Sequence, residues 1–448
     1  MATNLDQTRV TYLIIGSGVF GASTALHLAK SSSRPPKVIL LDRDHYSAPR
    51  RVAASWDWNK VIRCDYPSSP LHTRLALEAQ QLWRNDPLFS PYYHECGSFW
   101  ASRSNFRDVV EQNLSVNGNL DTGAKVYSVE EAKKLYGGVF EHGDYTGVEG
   151  ILVNTNSGYA EAKEVLEATI KEAVSLGVEY LVGKAAILEF EGASSDLRVT
   201  GVRLRDDLEV IKADKVVLCT GAYTAKLLMD SDRTPGGLEI YAGDRIMAVG
   251  VTEGLGALSP EAAERCRLDK LPIGVNDNPG GKGFEVGSQP LPKLNAFKYW
   301  GHTLFRNTVK HPVSGLSISA PPVQTDYAQY DVPQRLKEDV DSASSAIYGP
   351  ISEICLEQTL GEYRICWDGV TPTRDFIISP HSAVKSLFIA TGGSFHGFKF
   401  LPIIGKYVVQ MLSGELDVAL KEKWAWDREM PMVNGNDYFS AEYNSLVS

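Results

Sequence analysis

The chain has 448 residues, of which 45 are basic and 55 acidic, for a formal net charge of −10. That balance argues against nucleic acid and anionic membrane surfaces as partners, since both need a basic patch, and no apolar run reaches the length of a bilayer span. The length calls for two or three domains, interleaved or in series, and a soluble enzyme of ordinary composition. The six cysteines (Cys64, Cys96, Cys219, Cys266, Cys355 and Cys366) are scattered without metal-site spacing, as expected of free thiols in a reducing compartment. The first residues lack a cationic segment followed by an apolar one, and the last three are not Ser-Lys-Leu, so the expected location is the cytosol.

The first element is a short buried strand over residues 10–15. Gly16-Ser17-Gly18-Val19-Phe20-Gly21 follows at once, then a helical stretch over 22–30, then a second strand over 37–41 that ends in Asp42. This is the βαβ unit that holds a dinucleotide. Gly16 permits the tight turn, Gly18 lets backbone approach a pyrophosphate, and Gly21 lets helix and strand pack closely. Asp42 stands where an acid accepts from a ribose hydroxyl.

Residues 70–83 read as a helix with Leu75, Ala79, Leu82 and Trp83 on one face. The pattern turns strand-like over 92–101. A long helix is expected over about 160–176, ended by Gly177, with strands at 178–182, 199–204 and 208–212. Residues 215–222 form a buried strand running into a glycine turn at Gly221, and 387–393 repeat that pattern at Gly393. Both suit strands that return to the first sheet. Between them, 226–360 carry Pro/Gly-rich loops and few clear helices, which reads as a mainly β substrate domain.

Four clusters could carry chemistry. They are residues 55–66 (Ser-Trp-Asp-Trp-Asn-Lys-Val-Ile-Arg-Cys-Asp-Tyr), 297–302 (Phe-Lys-Tyr-Trp-Gly-His), 364–376 (Arg-Ile-Cys-Trp through Asp-Phe) and 392–402 (Gly-Gly-Ser-Phe-His-Gly-Phe-Lys-Phe-Leu-Pro). At these residues the chain resembles the monomeric sarcosine oxidase family of flavoproteins, which includes pipecolate, saccharopine and fructosyl amino acid oxidases (amadoriases). The likeness runs over nearly the whole length, and the tail after Lys399 looks like that of the fungal members.

The resemblance implies a fold in which a Rossmann-type FAD-binding domain (1–90, 150–225 and 361–448) is interleaved with a mainly antiparallel-sheet substrate domain (91–149 and 226–360). It implies FAD bound covalently through its 8α-methyl to Cys366. Contacts to that cofactor are expected from Gly16, Gly18, Val19, Phe20, Gly21, Asp42, Arg43, Ser55, Gly221, Gly393, Gly397, Phe398 and Lys399. Lys298 matches the lysine beside which O₂ is reduced, where a fixed ammonium stabilises developing superoxide charge. His302 matches a histidine beside the substrate, and Lys60 a basic residue under the flavin. Arg63 and Lys399 match the pair that clamps the substrate carboxylate. Glu285 aligns loosely with an acid of amadoriases.

The implied reaction is oxidation of the secondary amine of an N-substituted or cyclic amino acid, by a monomer whose only partners are a small-molecule amine and O₂. Deglycation of fructosyl amino acids, tailoring of an N-methylated amino acid derivative, electron transfer to a protein or quinone, and a non-catalytic flavoprotein that binds FAD as a structural or sensory element are the competing readings.

Overall fold

The computed structural model describes residues 9–32, 34–66, 69–103, 122–193, 196–206, 209–232, 240–277, 284–311, 314–322, 328–430 and 441–447. Two large sheets organise them.

The first sheet has six strands, in the order Ile377–Pro380, Leu387–Thr391, Lys215–Leu218, Thr11–Ile15, Lys37–Asp42 and Glu179–Val182. All neighbours are parallel except the edge strand Ile377–Pro380. The segments expected at 215–222 and 387–393 therefore do return to the sheet that begins the chain. Its inner strands are near-continuous apolar runs such as Leu13-Ile14-Ile15 and Ile39-Leu40-Leu41, all buried, as a parallel sheet covered on both faces requires. Helix Val19–Lys30 covers one face and packs against Ala162–Ser175 and Ile404–Ser413.

The second sheet has ten strands and is mostly antiparallel. Met247–Ala257 pairs with Ala296–Trp300 and with Thr359–Val370; Val286–Leu291, Ile273–Asn276, Ser98–Ser102 and Gly150–Asn154 extend it. Strands Gly150–Asn154 and Thr359–Val370 thus belong here. Boundaries at 150 and 361 run through this sheet, because hydrogen-bond pairing draws strands from both sides of them.

Strand parity divides the second sheet into two faces. One face presents Phe297, Tyr299, Gly254, Gly256 and Gly274 to helix Gln334–Tyr348, whose Val340 and Ile347 lie where glycine Cβ atoms would be. The expectation of few helices in 226–360 is corrected by this 15-residue helix. Leu336, Val340, Ala343 and Ile347 give it a buried stripe, which the intervening serines and aspartates obscure in the sequence. The other face of the sheet looks into the main cavity.

The remaining elements follow the sequence pattern closely. The helix expected from residue 70 is Pro70–Asn85, capped by Ser69, with Leu75, Ala79 and Trp83 buried. The strand-like stretch at 92–101 is two strands, Tyr93–His94 and Ser98–Ser102, separated at Gly97 with φ +86°. Asp207 and Leu208 of the expected turn and strand, and residues 278–283 of one expected loop, lie outside the described residues. Among the described residues, no helix is long and apolar enough to cross a membrane.

Candidate active site

One cavity of about 730 Å³ joins the two sheets. The parallel sheet contributes its strand-to-helix turn. Gly16 has φ +97°, and a Cβ there would come within 2.5 Å of the Cys219 carbonyl oxygen. A Cβ on Gly21 would stand 1.8 Å from the Gly16 carbonyl oxygen. Both positions therefore accept only glycine, and the helix start opens into the cavity through Gly16, Gly18, Val19 and Phe20. Ser55 Oγ accepts from the Val19 N–H at 3.2 Å.

Asp42 and Arg43 line the same cavity. Asp42 Oδ2 accepts from Ser17 N at 2.7 Å, Ser17 Oγ at 2.8 Å and Arg51 Nη2 at 3.1 Å. The acid is thus held in place from within the protein, while a carboxylate keeps further lone pairs for a hydroxyl.

The antiparallel sheet contributes side chains. Register sets Val251 opposite Cys366, Glu253 opposite Trp300 and Lys298 opposite Gln289. Gly287, opposite Trp300, leaves the room that the indole fills, since a Cβ there would overlap the ring.

Around Cys366 lies a buried charge cluster. Asp57 pairs with Lys60 at 2.6 Å and with Lys298, and Glu253 pairs with Lys298 at 3.0 Å and Lys60 at 3.3 Å. Arg364 stands 3.8 Å from each carboxylate and donates to the Trp56 carbonyl. Three cations over two carboxylates leave one positive charge in excess. Burial pushes the Asp57 carboxyl up, but Lys298, Lys60 and Arg364 outweigh it and hold that group far below the ordinary carboxylate range. Burial likewise pulls Lys60 down, and Asp57, Cys366 and Glu253 reverse the sign, holding its ammonium well above the usual lysine value. Lys60 Nζ is 3.8 Å from Cys366 Sγ. Burial pushes the thiol up to about 11, with Lys60 and Arg364 opposing.

The third part of the cavity carries Arg63, Lys399 and Glu285. The Arg63 guanidinium lies over Tyr66 at 4.8 Å and over Trp100 at 4.7 Å, and it donates to the Asp65 carbonyl. Lys399 Nζ lies 5.3 Å from the same Tyr66 ring and donates to the His396 carbonyl at 3.0 Å. Burial, then the neighbouring Arg63 charge, holds Lys399 well below the ordinary lysine value. Burial pushes the Glu285 carboxyl up. An anion entering here would meet Arg63 and Lys399, with the Glu285 carboxyl close to both.

All but two of the expected site residues line this cavity. Gly21 serves instead at the helix–strand contact that the sequence assigned to it. His302 is a correction: it does not line the cavity, because its Nδ1 is held 2.5 Å from Asp339 Oδ1 on the helix-covered side of the sheet. The pairing with Asp339 of that helix is what turns the ring away.

The sequence reading left out several residues. Asp57 and Glu253 organise the cations, and only cross-strand register reveals Glu253. Tyr66 hydrogen-bonds His396 Nδ1 at 3.1 Å. Asp368 accepts from the Phe395 N–H at 2.6 Å and the Gly369 N–H at 2.8 Å, pinning a turn in which Ser394 and Phe395 have φ +48° and +63°. Asp57, Tyr66, Asp368 and His396 all lie within the clusters singled out from the sequence.

The cradle of missing Cβ atoms, the acid after the second strand and the continuous cavity to Cys366 fit a dinucleotide with a redox ring. The sequence model for FAD dependent oxidoreductases matches residues 11–411, and the chain belongs to that family. Among its relatives is the L-saccharopine oxidase of Schizosaccharomyces pombe, 28% identical over 431 residues, with 93% of each chain covered. Two solved structures show how far the fold is shared. A fructosyl peptide oxidase (thermally stable mutant) gives a TM-score of 0.82 at 21% identity, with 98% of each chain covered. The deglycating fructosamine oxidase of Aspergillus fumigatus, Amadoriase II, gives 0.76 at 26% identity, with 98% of this chain and 97% of that one covered. This chain has their mixed α/β fold and is an FAD-dependent oxidoreductase.

Proposed function

We propose that the enzyme is an oxidase of the secondary amine of an N-substituted or cyclic amino acid, giving an imine that hydrolyses, together with H₂O₂. The observation that carries this reading is the pair Arg63 and Lys399, both against Tyr66 and both in the cavity that holds Cys366 and Lys298. The relative's activity on saccharopine, itself a secondary amine, supports it.

FAD, when bound, takes two electrons from the amine's C–H bond and delivers them to O₂. The chain's own residues bind and orient. Arg63 offers a bidentate fork and Lys399 a point charge to the substrate carboxylate, and an arriving carboxylate favours the charged form of Lys399 that burial and Arg63 disfavour. The same two cations lower the proton affinity of the substrate amine, which must react as the free base. Lys298, fixed by Asp57, Glu253 and the Asn59 carbonyl, holds an ammonium where reduced oxygen species gain charge. Gly16, Gly18, Val19 and Phe20 with Asp42 form the Rossmann-type end of the site. Cys366 is the covalent attachment point through the flavin 8α-methyl, with Lys60 the cation nearest its sulfur. One chain supplies every group named, and we take the active unit to be a monomer.

The division into an FAD-binding part and a substrate part is also proposed here, with strands Gly150–Asn154 and Thr359–Val370 going with the substrate part. Glu285 in the cavity and the likeness to Amadoriase II favour a second reading, oxidation of fructosyl amino acids.

The test is anaerobic bleaching of the flavin by sarcosine, pipecolate, saccharopine and a fructosyl amino acid. Bleaching by a secondary amino acid, reversed by air with H₂O₂ formed, is the expected result; a flavin that no amine bleaches sinks the proposal. Acid precipitation tests the linkage. Flavin should stay with the wild-type pellet and leave that of Cys366→Ala, and wild-type flavin released into the supernatant refutes attachment at Cys366.

A further inference from the structure

We infer that the substrate carries a planar apolar group, aryl or fused-ring, next to its amino acid head, and that an aromatic wall of the cavity selects it. This rests on the amine oxidase reading above and narrows its substrate.

The wall is Trp100, Trp300, Phe284 and Phe395, with Ile273 and Val275 between them, all lining the cavity. Strand parity turns Trp100, Trp300, Ile273 and Val275 toward the same side. Phe284 and Phe395 lie against each other with ring centroids 5.4 Å apart. Trp300, Ile273, Val275, Phe284 and Phe395 belong to the apolar cluster that contains Cys366, so the wall adjoins the proposed redox locus. It also adjoins the carboxylate anchor, because the Arg63 guanidinium sits 4.7 Å over the Trp100 ring. A carboxylate held by Arg63 leaves the rest of the molecule against these rings.

The Trp100 indole N–H is committed to Asp277 Oδ1 at 2.9 Å. The Trp300 indole nitrogen is buried within the wall itself, with no hydrogen-bond partner among the described residues. Arg63, over Trp100, and Glu285 and Gln289 are polar side chains that line the same cavity. A sugar substituent brings several hydroxyls, each of which needs a partner once buried. A flat ring needs none and gains edge-to-face contacts with Phe284 and Phe395. The wall therefore discriminates against the fructosyl reading and in favour of N-methylated or cyclised aromatic amino acids.

The experiment uses the holoenzyme. Anaerobic flavin reduction is followed with N-methyl-L-phenylalanine, sarcosine, L-pipecolate and fructosyl-valine. N-methyl-L-phenylalanine should exceed sarcosine in second-order rate constant by about 30-fold or more, the effect of burying one phenyl ring, and fructosyl-valine should be slowest. Phe284→Ala should cut the N-methylphenylalanine-to-sarcosine ratio about tenfold, and Phe284→Leu, which keeps most of the apolar volume, should cut it less. Preference for sarcosine, pipecolate or fructosyl-valine overturns the aromatic assignment while leaving the oxidase reading intact. A ratio unmoved in both variants overturns the role of the wall. Reduction by none of the four overturns this inference, and it overturns the oxidase reading as well when saccharopine also fails to bleach the flavin.

Discussion

At Gly16 and Gly21 the molecule makes a site by omitting atoms; on the cavity face of the antiparallel sheet it makes one by supplying them. The glycine turn lies within a dozen residues of one strand–helix junction, and its geometry is enforced by backbone, with the Cys219 and Gly16 carbonyls filling the space that a side chain would need. The charged wall draws Asp57, Glu253, Lys298 and Arg364 from four distant stretches of chain and depends on how those stretches register. The first kind of site tolerates no added atom. In the second, each residue removed has its own chemical signature.

Gly21→Val tests the first half of that contrast and should have the largest effect. A Cβ 1.8 Å from a carbonyl oxygen forces helix Val19–Lys30 off its strand, so the purified protein should hold almost no flavin and melt earlier. A visible-to-ultraviolet absorbance ratio like that of wild type would show that the turn yields, and that the site is less rigid than its contacts imply.

Lys298→Met probes the second half. It removes one charge from the cluster, taking the excess from one positive charge to none, while keeping most of the side-chain volume. Reoxidation by O₂ should slow by roughly 10²- to 10³-fold, the scale for losing one preorganised electrostatic group, and reduction by substrate should change by less than about tenfold. Equal slowing of both half-reactions would deny Lys298 its proposed role. Arg63→Ala comes next, raising KM for carboxylate substrates by about 10- to 100-fold with a smaller change in kcat, as expected for one charge-assisted hydrogen-bonding anchor. A fall in kcat alone would move Arg63 from binding to chemistry.

The same contrast explains what could be read in advance. The βαβ turn was legible because its residues are contiguous and each glycine has a local steric reason. The return of residues 215–218 and 387–391 to the first sheet was legible because both repeat a buried strand followed by glycine. Arg63, Lys298, Cys366 and Lys399 stood out through the family's motifs. Glu253 did not, since it lies in a strand of small and apolar residues with no motif around it, and only the folded register brings it to Lys298, Lys60 and Arg364. Helix Gln334–Tyr348 was missed for a related reason: its apolar stripe is complete only when the sheet's glycines are seen to receive Val340 and Ile347.

His302 shows the limit of spacing as evidence, and its variant should have the smallest effect on catalysis. Four residues after Lys298, it stands where the motif expects a group beside the substrate, but the strand ends at Trp300 and Gly301 lets the chain turn. A Cβ on Gly301 would come 2.3 Å from Asp339 Oδ2, so helix Gln334–Tyr348 approaches closely enough for Asp339 to take the imidazole. The hydrogen bond from His302 raises the imidazole pKa above its ordinary 6.5, against a smaller effect of burial. A raised folded-state value means that the pair's stabilisation is fully present below the unfolded pKa and is lost as pH rises through the folded one. His302→Gln should therefore lower Tm at about pH 5.5 and converge on wild type toward about pH 9. The side chain is 37% exposed, so solvent screens the pair and the shift should be small. Its kcat/KM should stay within about threefold of wild type across that range, because a ring facing Asp339 has no route to the carboxylate anchor. A hundredfold loss of kcat/KM with an unchanged Tm profile would mean that the imidazole swings into the cavity during turnover, and that the wall of side chains has a member which the resting geometry keeps outside.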